Sequence, residues 1–156
     1  MGQTVKVLIV DDDSIVRRSF ARFFAGYKGD ITFQVIEAEN GADAVEKAKK
    51  EQPSMVLLDI NMPVMNGLRA AAEIKATYPE YRVAMVTSSI SPKDLGEAKQ
   101  ANADLYITKG ATRKEVVESL SAAIDILILG KPLPDGQSLI PYVRDGLQAI
   151  FENRAW

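Results

Sequence analysis

The chain has 156 residues, of which 47% are hydrophobic and 26% charged, and a formal net charge of -2, as is typical of one soluble globular domain. The near balance of acidic and basic residues argues against a bulk electrostatic grip on nucleic acid or on an anionic membrane surface. Cysteine and histidine are absent, which excludes disulfides, thiolate and imidazole metal sites, Ser-His-Asp triads and a phosphohistidine carried by this chain.

Short apolar runs alternate with longer helical periodicities through the first 129 residues. Strands rich in β-branched residues are predicted where the apolar runs are continuous, and helices where apolar residues recur at spacings of three and four. Asp13 or Ser14 can cap the first helix. In chain order the predicted elements are a strand over 5–10, a helix over 14–27, a strand over 31–38, a helix over 41–51, a strand over 55–59, a helix over 66–78, a strand over 82–87, a helix over 92–101, a strand over 105–108 and a helix over 112–129.

This alternation predicts an α/β domain, with a doubly wound five-stranded parallel sheet and right-handed crossover connections. No apolar run approaches the roughly 20 residues that span a bilayer. The first residues show no basic region leading into an apolar stretch, so we expect no secretory signal and a cytoplasmic protein.

The last part of the chain is predicted to lie outside this domain, which covers residues 4–129. Residues 130–137 are rich in proline and glycine and predict a linker. Residues 138–154 predict a C-terminal amphipathic helix, since its apolar residues are spaced 3-4-3: Ile140, Val143, Leu147 and Ile150. Three roles are open for this helix: docking on the domain, forming a dimer, or leading to an output domain that is missing from this chain.

Polar side chains follow four of the five predicted strands. Asp11 and Asp12 come directly after the first strand, Asp59 ends the third, Thr87 ends the fourth and Lys109 follows the fifth. Taken singly, such residues are often helix caps or solvated charges. However, the carboxyl ends of parallel strands meet at one edge of a sheet, where ligands bind in open α/β folds. The convergence of these side chains therefore predicts a functional site.

The chemistry of this set of residues favours phosphoryl transfer. Three carboxylates at neighbouring strand ends repel one another unless a cation lies between them. Ligation by oxygen alone suits Mg²⁺ better than zinc. A carboxylate beside such an ion can act as a nucleophile toward phosphorus. Lys109 and Thr87 would supply a positive charge and a hydroxyl donor to the phosphoryl oxygens.

The sequence resembles the receiver domain of two-component response regulators, a family that includes single-domain chemotaxis regulators. The resemblance covers about residues 4–129 and implies the flavodoxin-like strand order 2-1-3-4-5. The residues that carry it are Asp11-Asp12 after the run VLIV, the loop DINMPVMNG over 59–67, Thr87-Ser88, Tyr106 and Lys109.

The resemblance implies a phosphoacceptor and a metal site. Asp59 matches the aspartate that accepts the phosphoryl group. Asp11 and Asp12 match the acidic pair that holds Mg²⁺ together with Asp59, and the backbone carbonyl of Asn61 matches a further ligand. Because the chain has no histidine, the phosphoryl group has to come from another protein or from a small phosphodonor.

The resemblance also implies a switch. Thr87 matches the hydroxyl that moves toward the phosphoryl group, Lys109 matches the lysine that pairs with it, and Ser88 matches the small residue that leaves access to it. Tyr106 matches the aromatic residue whose rotamer follows Thr87 and alters the face formed by helix 4, strand 5 and helix 5. The implied partners are a sensor histidine kinase or phosphotransfer protein and a downstream protein target, with a homodimer possible and with neither direct nucleic-acid nor membrane binding.

One position departs from the family pattern, in which proline with a cis peptide normally follows the lysine. Here Gly110 follows Lys109. Without proline a cis bond costs about 2.5–4 kcal/mol. We therefore expect a trans Lys109–Gly110 peptide or a looser loop that aims Lys109 less firmly.

Three other functions would also suit an α/β domain with this acidic edge, and the sequence disfavours each of them. A Mg²⁺-dependent phosphohydrolase would normally carry a general acid two residues after the nucleophile, where this chain has Asn61. A nucleotide-binding domain would carry a glycine-rich loop after the first strand, and none is present. A degenerate, weakly switching receiver that only mediates contacts is disfavoured because the acidic, hydroxyl and lysine positions are all filled. A receiver module of a longer regulator stays open as a variant of the main interpretation.

Overall fold

The described part of the chain is built on one sheet with helices on both faces. The computed structural model describes residues 2–88, 91–110, 112–131 and 142–143. The sheet has the strand order β2-β1-β3-β4-β5-β6, in which the first five strands are parallel and β6 is antiparallel to β5. The predicted doubly wound parallel sheet of order 2-1-3-4-5 is thus confirmed.

The central strands are almost completely buried because helices cover both faces, which is why their sequences are near-continuous apolar runs. The edge strand β2 instead alternates between buried and exposed residues along part of its length. The strands are β1 Gln3–Val10, β2 Ile31–Ala38, β3 Met55–Asp59, β4 Arg82–Thr87, β5 Leu105–Thr108 and β6 Tyr142–Val143.

Each helix begins after a residue whose side-chain oxygen accepts a hydrogen bond from a backbone N–H group of the first turn. These caps are Asp13, Asn40, Asn66, Ser91 and Thr112. The helices are α1 Ser14–Ala25, α2 Gly41–Glu51, α3 Gly67–Thr77, α4 Pro92–Gln100 and α5 Arg113–Ala123, the last continuing as a π-helical segment over Ile124–Ile128.

The hydrophobic core has one part on each face of the sheet. On one face, Phe20 and Phe24 of α1 pack with Leu120 of α5. On the other face, small residues of α2, α3 and α4 allow these helices to lie close to the strands. The alternation of helices between the two faces leaves the carboxyl edge of the sheet open to solvent, where loops carry the polar residues.

Lys75 and Asp104 form a buried ion pair at the amino-terminal edge of the sheet, opposite its carboxyl edge. The ammonium group of Lys75 in α3 lies 3.0 Å from Oδ2 of Asp104, which directly precedes β5. The same ammonium donates hydrogen bonds to the carbonyl oxygens of Pro79 and Tyr81, both at 2.8 Å, and Oδ2 of Asp104 also accepts from the amide of Val83. Lys75 and Asp104 are almost inaccessible to solvent, so this pair ties α3 to the starts of β4 and β5.

The C-terminal region differs from its prediction where it can be compared. Most of the predicted linker over 130–137 and of the predicted helix over 138–154 lies outside the described residues. Tyr142 and Val143 form β6, so the helix prediction is wrong at these two positions. The physical reason is that the outer edge of β5 offers unpaired backbone groups, which an extended segment can satisfy and a helix cannot.

Across the residues that the structure describes, every helix is too short or too polar to cross a bilayer. The predicted cytoplasmic location stays a prediction.

Candidate functional site

The candidate site is a group of three carboxylates at the carboxyl edge of the sheet. Asp11 and Asp12 follow β1, and Asp59 is the last residue of the neighbouring strand β3. One carboxylate oxygen from each of the three lies within 4.8 Å of the others. Asp11 and Asp59 are buried whereas Asp12 is exposed, so the group opens to solvent on one side. The structure therefore brings together the acidic residues that the sequence predicts.

Lys109 places its positive charge between two of these carboxylates. Its Nζ atom lies 2.7 Å from Oδ2 of Asp11 and 3.4 Å from Oδ1 of Asp59. Burial alone would lower the pKa of Lys109, but the hydrogen bond to Asp11 and the charges of Asp59 and Asp11 outweigh this, so the pKa is raised. Lys109 is therefore a cation at neutral pH.

The surroundings of Asp59 disfavour the negative charge of its carboxylate. Burial, and then the neighbouring carboxylate of Asp11, raise the pKa of Asp59 to about 6, against the lowering effects of Lys109 and of the Ile60 amide. That amide donates to Oδ1 of Asp59 at 2.9 Å. The side chain is thus ionised at neutral pH, at a cost that a bound cation would relieve.

Backbone contacts hold the acidic residues in place. Oδ1 of Asp11 accepts a hydrogen bond from the amide of Asp13, and the Asp11 carbonyl oxygen accepts one from the guanidinium of Arg17 at 2.6 Å. Arg17 also forms an ion pair with Glu37 of β2. No sequence motif marks this role of Arg17, which lies one turn into α1.

The loop after Asp59 returns closely to the strand that it leaves. A Cβ atom on Gly67 would lie 1.8 Å from the carbonyl oxygen of Asp59, so only glycine allows this approach. The Gly67 amide also donates to the carbonyl oxygen of Ile60. Gly67 ends the loop motif DINMPVMNG, but no role was predicted for it. The signal that could have indicated one is a glycine at the start of a helix that follows a candidate nucleophile.

The middle of the same loop carries an exposed residue in the left-handed region of the backbone. Val64 has φ of 70° and a side chain that is 83% exposed. A β-branched residue rarely adopts this conformation because its Cβ substituents crowd the backbone. Asn61 lies in this loop with an exposed side chain, and its carbonyl as a metal ligand stays a prediction.

Thr87 and Tyr106 connect the site to the last strands. Asp59 pairs with Val86, so Thr87 lies one residue further along the neighbouring strand, where it is buried. Its carbonyl oxygen accepts a hydrogen bond of 2.7 Å from the Lys109 amide. Tyr106 is fully buried, and burial raises the pKa of its hydroxyl against the lowering effect of a backbone contact with Ser91. Their roles in a switch stay predictions.

The peptide between Lys109 and Gly110 is trans, which confirms that alternative of the prediction. Gly110 has φ of 83°, and a Cβ atom there would lie 2.7–2.8 Å from atoms of Glu115 and Val116. Proline cannot adopt this φ. The loop therefore has its own conformation, and that conformation still brings Lys109 to both carboxylates.

Comparison with known proteins decides the family. The sequence model of the response regulator receiver domain matches residues 7–121. The chain belongs to this family. It is thus a receiver domain of a two-component response regulator. Receiver domains as a class are phosphoacceptors rather than true enzymes.

Among curated proteins, the response regulator protein VraR of Staphylococcus aureus is 34% identical over 117 residues, which is 75% of this chain and 55% of VraR. The chain therefore spans about half the length of the curated relatives it matches. Among solved structures, the response regulator domain of Thermotoga maritima CheB has a TM-score of 0.71 at 30% identity and covers 80% of this chain and 96% of its own. The Vibrio cholerae chemotaxis protein CheY4 has a TM-score of 0.66 at 27% identity and covers 77% of this chain and 98% of its own.

Proposed function

We propose that the chain is a phosphorylation-dependent signalling switch that accepts a phosphoryl group on Asp59 from a histidine of a partner kinase or phosphotransfer protein. The observation that carries the proposal is the pairing of the Asp59 carboxylate with the Lys109 ammonium, 3.4 Å away, within a group of three carboxylates. Response regulators partner with histidine kinases, and we propose that a kinase of this class, directly or through a phosphotransfer protein, is the donor for this chain.

In the proposed reaction, an Asp59 carboxylate oxygen attacks the phosphorus atom. A new O–P bond forms while the P–N bond of the donor histidine breaks, and the imidazole nitrogen keeps the electron pair. Asp59 has to be ionised, which its pKa of about 6 allows at neutral pH. Lys109 exchanges part of its contact with Asp11 for the incoming phosphoryl oxygens, and Thr87 donates its hydroxyl to one of them.

The acidic group fits a divalent cation by its donor set. Receiver domains generally bind Mg²⁺ or Mn²⁺ at an acidic pocket, and oxygen atoms of Asp11, Asp12 and Asp59 lie close enough together to share one ion. We propose that these carboxylates, with the backbone carbonyl of Asn61, hold Mg²⁺. The ion supplies positive charge that offsets the negative charge of the phosphoryl oxygens.

Phosphorylation is proposed to alter the face formed by α4, β5 and α5. Thr87 at the end of β4 lies beside Thr108 at the end of β5, and Tyr106 lies two residues before Thr108. A shift of Thr87 toward the phosphoryl group therefore acts on the strand that carries Tyr106. The changed face then controls a downstream protein partner or a homodimer, in this chain or in a longer regulator of which it is a module.

The test is phosphoryl uptake from acetyl phosphate and MgCl₂, measured by intact-protein mass spectrometry. We expect one added phosphoryl group, none in Asp59→Asn, and none when EDTA replaces the metal. Asp13→Asn is the matched control, since Asp13 adjoins the site but its side chain caps α1. It should take up the group as the unchanged protein does.

Two results would contradict the proposal. Absence of uptake by the unchanged chain would favour the contact module without phosphorylation. Rapid turnover of an added phosphomonoester, with Asp59 left unmodified, would favour the phosphohydrolase.

A further inference from the structure

The outer edge of β5 is covered by a segment from the C-terminal part of the chain. Tyr142 and Val143 form β6, which runs antiparallel to β5 with Tyr142 opposite Tyr106 and Val143 opposite Leu105. β5 would otherwise be the edge of the parallel sheet. The chain thus supplies its own backbone partner to an edge that could pair with another extended segment.

This pairing is short, since it involves two of the four residues of β5. β5 has four residues, whereas β6 has two. A ladder of this length opens more easily than the eight-residue pairing between β1 and β2 at the other side of the sheet. β6 is therefore the strand of the described sheet most easily displaced.

β5 is also the strand that joins β6 to the phosphorylation site. Its last residue, Thr108, pairs with Thr87, and Lys109 follows it with Nζ 3.4 Å from Asp59. Towards the other end of the same short strand, the fully buried Tyr106 pairs with Tyr142 of β6. The contact between Lys109 and Asp59 and the pairing with β6 are thus connected by one strand of four residues.

We propose that Tyr142–Val143 is an intramolecular cap on the edge of β5, and that phosphorylation of Asp59 releases it. The cap blocks the edge in the unphosphorylated protein, and its release exposes backbone groups of β5 for strand addition. The occupant of the edge is the chain's own segment. This inference rests on the function proposed above for Asp59, and it adds a regulatory contact that the resemblance to receiver domains does not imply.

Coupling of this kind is reciprocal. If the phosphorylated state weakens the cap, then loss of the cap favours the phosphorylated state by the same factor. A capless variant should therefore bind the phosphate mimic beryllofluoride about fivefold more tightly than the unchanged chain, a typical coupling factor between two sites.

The test is amide hydrogen exchange of the full chain, measured by NMR at Leu105 and Tyr106 with and without Mg²⁺ and beryllofluoride. The capless variant is the double substitution Tyr142→Pro and Val143→Pro, because proline has no N–H group and fixes φ near -65°, outside the range of a regular ladder. The matched control is Tyr142→Ala and Val143→Ala, which keeps both N–H groups. Amides of β1 and β3 report whether the fold is intact.

Without beryllofluoride, we expect the β5 amide that faces β6 to exchange at least about tenfold faster in the proline variant than in the alanine control, while β1 and β3 stay protected. With beryllofluoride, the same amide should exchange faster in the unchanged chain. Equal rates in the proline and alanine variants would overturn the cap.

An unchanged rate when beryllofluoride is bound would overturn the coupling, as would equal affinity of the two variants for it. Binding is confirmed by the ¹⁹F signal of the bound anion, which Asp59→Ala should lack. If the unchanged chain takes up neither beryllofluoride nor a phosphoryl group, the proposed function and the coupling both fail. The cap is then judged by the proline and alanine comparison alone.

Discussion

Two lysine–aspartate pairs lie at opposite edges of the same sheet, and they differ in how well their charges are matched. At the amino-terminal edge, Lys75 meets the single carboxylate of Asp104 and two backbone carbonyl oxygens. At the carboxyl edge, Lys109 meets Asp11 and Asp59, and Asp12 lies close by. Three carboxylates and one ammonium leave a formal charge of -2 there, against zero at the other edge.

The difference shows what separates a structural ion pair from a binding site. The Lys75–Asp104 pair is closed to solvent and its charges offset each other, so it offers nothing to a ligand. The carboxyl-edge site keeps excess negative charge and an opening beside the exposed Asp12. Its charge is balanced only when a cation binds, which is the physical basis for proposing Mg²⁺ at that edge.

The largest expected effect comes from breaking the closed pair. Lys75→Met leaves the Asp104 carboxylate buried without its cation and should lower the free energy of unfolding by about 3–5 kcal/mol, as is usual for one partner of a buried pair. Urea denaturation at neutral pH measures the change. The double variant Lys75→Met and Asp104→Leu removes both charges and should recover much of the loss. If the free energy of unfolding falls by less than about 1 kcal/mol in the single variant, the pair behaves as a solvent-exposed ion pair and not as a buried one.

The next effect tests the loop that holds Lys109. Gly110→Ala places a Cβ atom 2.7–2.8 Å from Glu115 and Val116 at a φ of 83°. We expect a loss of about 2 kcal/mol in unfolding free energy and slower phosphoryl uptake, because Lys109 is displaced. The matched control is Gly96→Ala in α4, where a Cβ atom meets no neighbour within 4 Å. There alanine should stabilise by about 0.5–1 kcal/mol. Equal changes at both positions would contradict a specific role of Gly110.

The smallest effect concerns the unmatched charge itself. Asp59 has a pKa of about 6 in the folded protein and 3.8 as a free group, so the folded state binds a proton more tightly and loses stability as pH rises from about 4 to 6. Asp59→Asn removes this cost. At pH 7.5 it should raise the free energy of unfolding by about 1–1.5 kcal/mol, after allowance for solvent screening.

The pH dependence distinguishes this cause from a general effect of removing a charge. The gain from Asp59→Asn should shrink as pH falls below 6 and vanish near pH 4, because the unchanged Asp59 is then protonated in the folded protein. Asp30→Asn, at an exposed aspartate of the amino-terminal edge, should change stability little at any pH. A gain that is independent of pH would contradict the elevated pKa of Asp59.

The sheet and the site edge could be predicted from the sequence because their signals are strong and local. β4 has the same bounds in prediction and structure, and its residues 83–86 form a continuous apolar run because helices cover both faces of the strand. The site residues follow from topology, because parallel strands bring their carboxyl ends to one edge. The identity of each side chain then specifies the chemistry.

Other features could not be predicted, since they depend on neighbours that are distant in sequence. The extended backbone of Tyr142 and Val143 depends on the free edge of β5, whereas the apolar spacing around them is typical of a helix. The left-handed conformation of Val64 opposes the preference of valine and follows from the closure of its loop. The position of Lys109 depends on the left-handed backbone conformation of Gly110, at a position where the family pattern has proline.

The strand order of the sheet determines when, during synthesis and folding, the site around Asp59 is assembled. Lys109 and Asp11 form one ion pair, yet they are 98 positions apart in the sequence. The charge arrangement at Asp59 therefore does not exist until β5 has docked beside β4, which is among the last strand pairings available to a chain made from its amino terminus. A chain that ends or is cleaved before β5 lacks Lys109, and a chain in which β5 is unfolded does not hold Lys109 beside Asp11 and Asp59. If Asp59 accepts phosphoryl groups as proposed above, we expect such chains to be poor acceptors, because no ammonium group lies beside Asp59 to pair with the phosphoryl oxygens.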